Sequence, residues 1–84
     1  MRNDEKIILQ QFAKLLKELR EKKYNSLNQF AFDSPHLTSA TISRIENASV
    51  DFKFTTLVKL AYALDMSVSD LLKDFTFNYD DFEQ

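Results

Sequence analysis

The stretch Thr38-Ser39-Ala40-Thr41-Ile42-Ser43-Arg44-Ile45-Glu46-Asn47 decides the fold. Thr38 carries a hydroxyl suited to accept a free first-turn amide, so it reads as the cap of a helix. Ile42 and Ile45 share one face at helical spacing and are expected to point inward. The outward positions near the N-terminal end are Ser39, Ala40, Thr41, Ser43 and Arg44, all small or hydrogen-bonding. A solvated structural helix more often carries Glu and Lys there. Small side chains let a backbone come close to another surface, and Arg44 is the one long donor, able to form two parallel hydrogen bonds.

Outward from this stretch, the chain reads as short helices. Ser34-Pro35-His36 precedes it and cannot continue a helix, because proline removes an amide donor and restricts the residue before it. Before that break, Ser26-Leu27-Asn28-Gln29 is a capping box that opens a short second helix through Phe30 and Ala31 to about Asp33. The first helix spans roughly Asp4 to Lys23, with Ile8, Phe12, Leu15 or Leu16, and Leu19 as its inward face. Asp4 and Glu5 at its start and Lys22 and Lys23 at its end complement the helix dipole. After a connector from Asn47 to Val50, Asp51 reads as the cap of a fourth helix holding Leu57, Leu60, Ala61 and Leu64. Ser67-Val68-Ser69-Asp70 is a second capping box, opening a fifth helix to about Phe75. The organisation expected is an all-α, compact five-helix domain over residues 1–75 with an acidic aromatic tail at 76–84. In the tail region Phe75, Phe77 and Tyr79 alternate with strand period, so one face is expected either to pair with a second copy or to pack on the bundle. The other reading is a frayed terminus whose first aromatic or two cover the core.

Composition removes several function classes. Eighty-four residues allow one domain, and a core this size gains from a second subunit or from regular helix packing. Without cysteine there is no disulfide or thiolate chemistry, and without glycine no Gly-rich phosphate loop. The single histidine, His36, lacks metal-ligand spacing with its neighbours and reads as a plain loop residue. No catalytic constellation, metal site or cofactor is expected, and neither is a membrane span, which points to a soluble intracellular protein. The net charge of −2 is uneven: residues 1–48 hold eight Lys/Arg against six Asp/Glu, and residues 49–84 hold three against seven. Asp80, Asp81 and Glu83 account for much of the acidity.

Two short helices of different character joined by a compact break have the shape of a helix-turn-helix unit, whose second helix enters a DNA major groove. Arg44 would then reach a guanine edge or a phosphate. The ten residues from Thr38 to Asn47 resemble the recognition-helix stretch of the lambda-repressor-like (Xre/Cro) helix-turn-helix family. Leu15–Arg20 resembles that family's first helix and Ser26–Ala31 its second. Thr56–Ala61, and Ala63-Leu64 with Val68 and Leu71-Leu72, resemble its last two.

The resemblance implies a dimeric transcriptional regulator, bacterial or phage-encoded and cytoplasmic, bound to double-stranded DNA. It implies that Ser39, Ala40, Thr41 and Arg44, with Ser43 beside them, lie at the bases. Ser26, Thr38 and Asn47 would lie at phosphates, and Arg20 and Glu46 would form a partly buried structural ion pair. Three departures thin the phosphate contacts: Leu27 stands where a glutamine is usual, the turn around Pro35 is one residue long for the family, and Phe52 stands where a proline is common. Lys14, Lys22, Lys23 and Lys53 are the available substitutes. Dimerisation is expected through the fifth helix and the tail. A toxin or other regulatory protein is the alternative partner of that tail, in a module with weak DNA affinity.

Overall fold

A computed structural model describes residues 1–82; Glu83 and Gln84, the end of the expected tail, lie outside the described residues. The order is α1 (Asn3–Lys23), α2 (Leu27–Phe32), α3 (Ser39–Glu46), α4 (Phe54–Ala63), α5 (Val68–Leu71) and a single 3₁₀ turn, η1 (Tyr79–Asp81). The all-α, five-helix fold is therefore observed, with no strand among the described residues.

Three of the helix starts follow from hydroxyl caps. Ser26 Oγ accepts from the Gln29 amide at 3.1 Å, Thr38 Oγ1 from the Thr41 amide at 3.1 Å, and Ser67 Oγ from the Asp70 amide at 3.0 Å. The first box closes on one side only, because the Gln29 side chain donates forward to Asp33 instead. α4 differs from expectation. Its cap is Lys53, without a side-chain bond, and not Asp51. The reason is Phe52, whose ring lies 5.1 Å from that of Phe12 and holds the preceding connector extended.

The core gathers Phe12 and Leu16 from α1, Phe30 from α2, and Leu37 from the turn. Ile42 and Ile45 of α3, Leu60 and Ala61 of α4, Leu64 and Leu71 complete it. On α1 the deepest stripe is Leu9, Phe12, Ala13, Leu16 and Arg20. Ile8, Leu15 and Leu19 are only half-buried while Leu16, the other expected choice, is fully buried, so the inward face sits about a fifth of a turn from the expected one. Both stripes pass through Phe12 and Leu16, and a helix covered on several sides buries the small Ala13 that a pattern of large residues overlooks.

Two helices end without glycine in geometry that usually asks for one. After α3, the Ser49 amide donates to Arg44 O and the Ala48 amide to Ile45 O, with Ala48 at φ 55°. After α4, the Met66 amide donates to Ala61 O and the Asp65 amide to Tyr62 O, with Asp65 at φ 58°. Both are Schellman closures, built on residues that carry a Cβ penalty in the left-handed region.

α5 is shorter than expected, stopping at Leu71 and not near Phe75. Past Leu71 the chain continues in tighter turns, the Lys73 amide donating to Asp70 O and the Phe75 amide to Leu72 O, and these bring the Phe75 ring back to the core, 6.5 Å from Phe12. Beyond Phe75 the expected strand-like alternation gives no strand. Phe77, Tyr79 and Phe82 cluster on one another, with ring centroids 4.9–6.4 Å apart around η1.

Candidate nucleic-acid interface

α3 is held by its inner side. Ile42 and Ile45 are fully enclosed, and α3 packs against both α1 and α2. At its last residue, Arg20 Nε donates to Glu46 Oε2 at 2.7 Å and Arg20 Nη2 to Glu46 Oε1 at 3.0 Å. Both side chains are 7% exposed, so this is a buried, bidentate pair joining α1 to the end of α3. The hydrogen bonds to Glu46 are the chief reason that Arg20 holds its proton more tightly than an ordinary arginine; desolvation opposes them, and the Glu46 and Glu21 charges add. Such a pair fixes orientation more than it adds net stability.

The turn that leads into α3 manages without glycine. The buried Ser34 hydroxyl donates to Phe30 O, the Leu37 amide donates to Ser34 O at 3.1 Å, and Leu37 plugs into the core. Pro35 and His36 are left exposed at the bend, His36 edge-on to Tyr62 at 5.8 Å. The turn thus bulges outward at Pro35 and His36, leaving the start of α3 on the core.

The outer side of α3 collects seven of the singled-out residues. Thr38, Ser39, Ala40, Arg44 and Asn47 are exposed, and Thr41 and Ser43 half-exposed. Thr38 Oγ1, already holding the Thr41 amide, donates to Thr41 Oγ1 at 3.0 Å, and Asn47 Nδ2 donates to Ser43 Oγ at 3.3 Å. Ser49 Oγ closes the C-terminal end on Arg44 O at 3.1 Å. Ser26 stands apart at the start of α2, its hydroxyl engaged in the cap. These linked hydroxyls escape a reading by residue type alone, although the i, i+3 and i, i+4 spacings that create them are visible in the chain. Lys14, Lys22, Lys23 and Lys53 are all exposed, with Lys23 Nζ 5.8 Å from the ring centre of Tyr24.

An anchored inner side and a small, polar outer side carrying one exposed arginine make α2 and α3 a helix-turn-helix unit set in a helical core. Residues 14–76 match the Cro/C1-type HTH DNA-binding domain family, which is most of the chain, and the protein belongs to that family. Comparison with curated proteins and with solved structures gives no match. No helix among the described residues is long and apolar enough to cross a membrane.

Proposed function

We propose that the chain is a sequence-specific transcription regulator of repressor or controller type. It acts as a homodimer that inserts α3 into the major groove of a palindromic operator with half-sites about one helical turn apart. Ser39, Ala40, Thr41, Ser43 and Arg44 face the bases, while Ser26, Thr38 and Asn47 hold phosphates. Residues 1–75 form the DNA-binding domain and residues 76–84 the tail. Its place is the cytoplasm of a bacterium or phage-infected cell, on the nucleoid when bound.

The observation that carries this reading is the charge state of α3. Its only carboxylate, Glu46, is turned inward and neutralised by Arg20, so the exposed side presents no negative charge to a phosphate backbone. With a net charge of −2, non-specific affinity is low and discrimination rests on the bases. The test is a selection from randomised duplexes, followed by binding isotherms at rising salt. An enriched, inverted-repeat motif whose affinity falls steeply with salt supports the reading; failure to enrich any motif removes it. For the dimer, α5 exposes Ser69 and Asp70, the turn after it exposes Lys73, and the tail exposes Tyr79 and Phe82. Light scattering on a chain lacking residues 76–84 is expected to give a monomer, and an unchanged dimer excludes the tail from the interface.

A second reading is favoured by the tail itself: an antitoxin or interaction module that binds a partner protein. Tyr79 is 78% exposed and Phe82 44% exposed, ready-clustered beside Asp80 and Asp81, a form suited to a basic, apolar partner surface. Loss of a co-purifying protein on deletion of the tail, with DNA affinity retained, separates this role from the first.

A further inference from the structure

α4 carries two apolar stripes, and the core uses only one. Leu57, Leu60 and Ala61 pack inward, followed by Leu64. Phe54, Val58 and Tyr62 recur every four residues on the other side, 68%, 45% and 69% exposed. Beside them His36, Val58, Lys59 and Tyr62 line an open concavity of about 290 Å³, with the His36 ring edge-on to Tyr62. The surroundings are basic. Lys53 caps the helix, Lys59 lines the concavity, and α4 itself holds no carboxylate; Asp51 and Asp65 lie beyond its two ends.

We infer that this outer stripe of α4 is the seat for the tail of a second copy, exchanged reciprocally between two chains. The inference rests on the homodimer of the proposed function and names the surface that receives the tail. The tail has the matching chemistry. After Lys73 the described chain carries Asp74, Asp80 and Asp81 and no lysine or arginine, with the exposed rings of Tyr79 and Phe82 stacked on each other. Two α4 stripes laid on one another about Val58 would instead set the two Lys59 side chains side by side, a like-charge contact. Area decides between one-way and reciprocal docking. At about 200 Å² per aromatic side chain, the exposed parts of Phe54, Tyr62, Tyr79 and Phe82 come to about 500 Å² in one contact. That is half of the about 1,000 Å² a specific interface needs, and two equivalent contacts related by a two-fold axis supply the rest.

The test is sedimentation velocity on the full chain over a range of concentrations. Tyr62→Ser, a change on neither α5 nor the tail, is expected to weaken dimerisation about tenfold or more. Lys59→Glu is expected to weaken it about tenfold, and so is Asp80→Lys with Asp81→Lys. All three charge changes in one chain are expected to restore it, because the two signs have then been exchanged. Unfolding midpoints taken below the dissociation constant verify that each variant keeps the fold. An unchanged dimer in Tyr62→Ser overturns the inference and leaves the contact to α5. Failure of the combined charge variant to recover overturns the pairing of the tail with α4. A chain that stays monomeric without any substitution removes the homodimer reading, and the inference with it. Mass is read without DNA, so each of these results is independent of whether a selection enriches an operator.

Discussion

The segments Thr38–Ala48 and Leu72–Phe82 are equal in length, yet one is fixed from far away and the other mostly by itself. In the first, Ile42 and Ile45 disappear into a core shared with α1, α2 and α4, and Glu46 is gripped by Arg20, distant in sequence. In the second, Leu72 and Phe75 reach the bundle, Phe75 through Phe12, while Phe77, Tyr79 and Phe82 find one another within a few residues. Apolar residues define a position in the fold when their partners come from elsewhere in the chain. A local cluster of rings gives a shape without tying it to the core.

The largest effect expected from breaking this contrast lies at the ion pair. Arg20→Ala leaves Glu46 buried without its partner and is expected to cost about 3–5 kcal/mol in urea unfolding. Replacing both partners together, as Arg20→Met with Glu46→Leu, is expected to restore most of that. The raised pKa of Arg20 sets the sign of its pH dependence. Its contribution is complete below the ordinary arginine value and lost only as pH rises past the folded one, so this group adds no slope between about pH 6 and about pH 9.

Phe75→Ala removes the one ring that joins the tail to the bundle. Half-buried as it is, the loss should be about 1–2 kcal/mol by the same measurement. Asp65→Gly works in the other direction. Relief of the left-handed backbone at an exposed helix end is expected to raise stability by up to about 1 kcal/mol, partly offset by the freer unfolded chain. At Tyr79→Ala the change is expected to stay within about 0.5 kcal/mol. A loss above 2 kcal/mol there would mean that the tail is bound into the fold far more firmly than its exposure indicates.

The same contrast explains what the residues revealed beforehand. Helix starts at Ser26, Thr38 and Ser67 depend on a hydroxyl three residues from the amide it caps, a local relation visible along the chain. Ile42 and Ile45 were equally plain, because only one face of α3 is apolar. The start of α4 and the end of α5 were not, since the nearby Phe52 and Phe75 meet Phe12, which lies far from both along the chain. Ala48 and Asp65 gave no sign of their left-handed backbone, because the usual marker of such helix ends is glycine and this chain contains none. On the site, residue types pointed to the outer side of α3, but the direction of its hydrogen bonds emerged only from the positions of Thr38 and Asn47.

On the proposed function, α3 has two separable sides, one that anchors and one that reads DNA. Arg44→Ala tests it most directly, with unfolding free energy and affinity for the selected duplex measured on the same preparation. Stability is expected to change by no more than about 0.5 kcal/mol while specific affinity falls by about 1–3 kcal/mol and sequence preference relaxes at one step. Affinity and preference left at their original values would contradict it, as would a loss of affinity that merely follows a loss of fold.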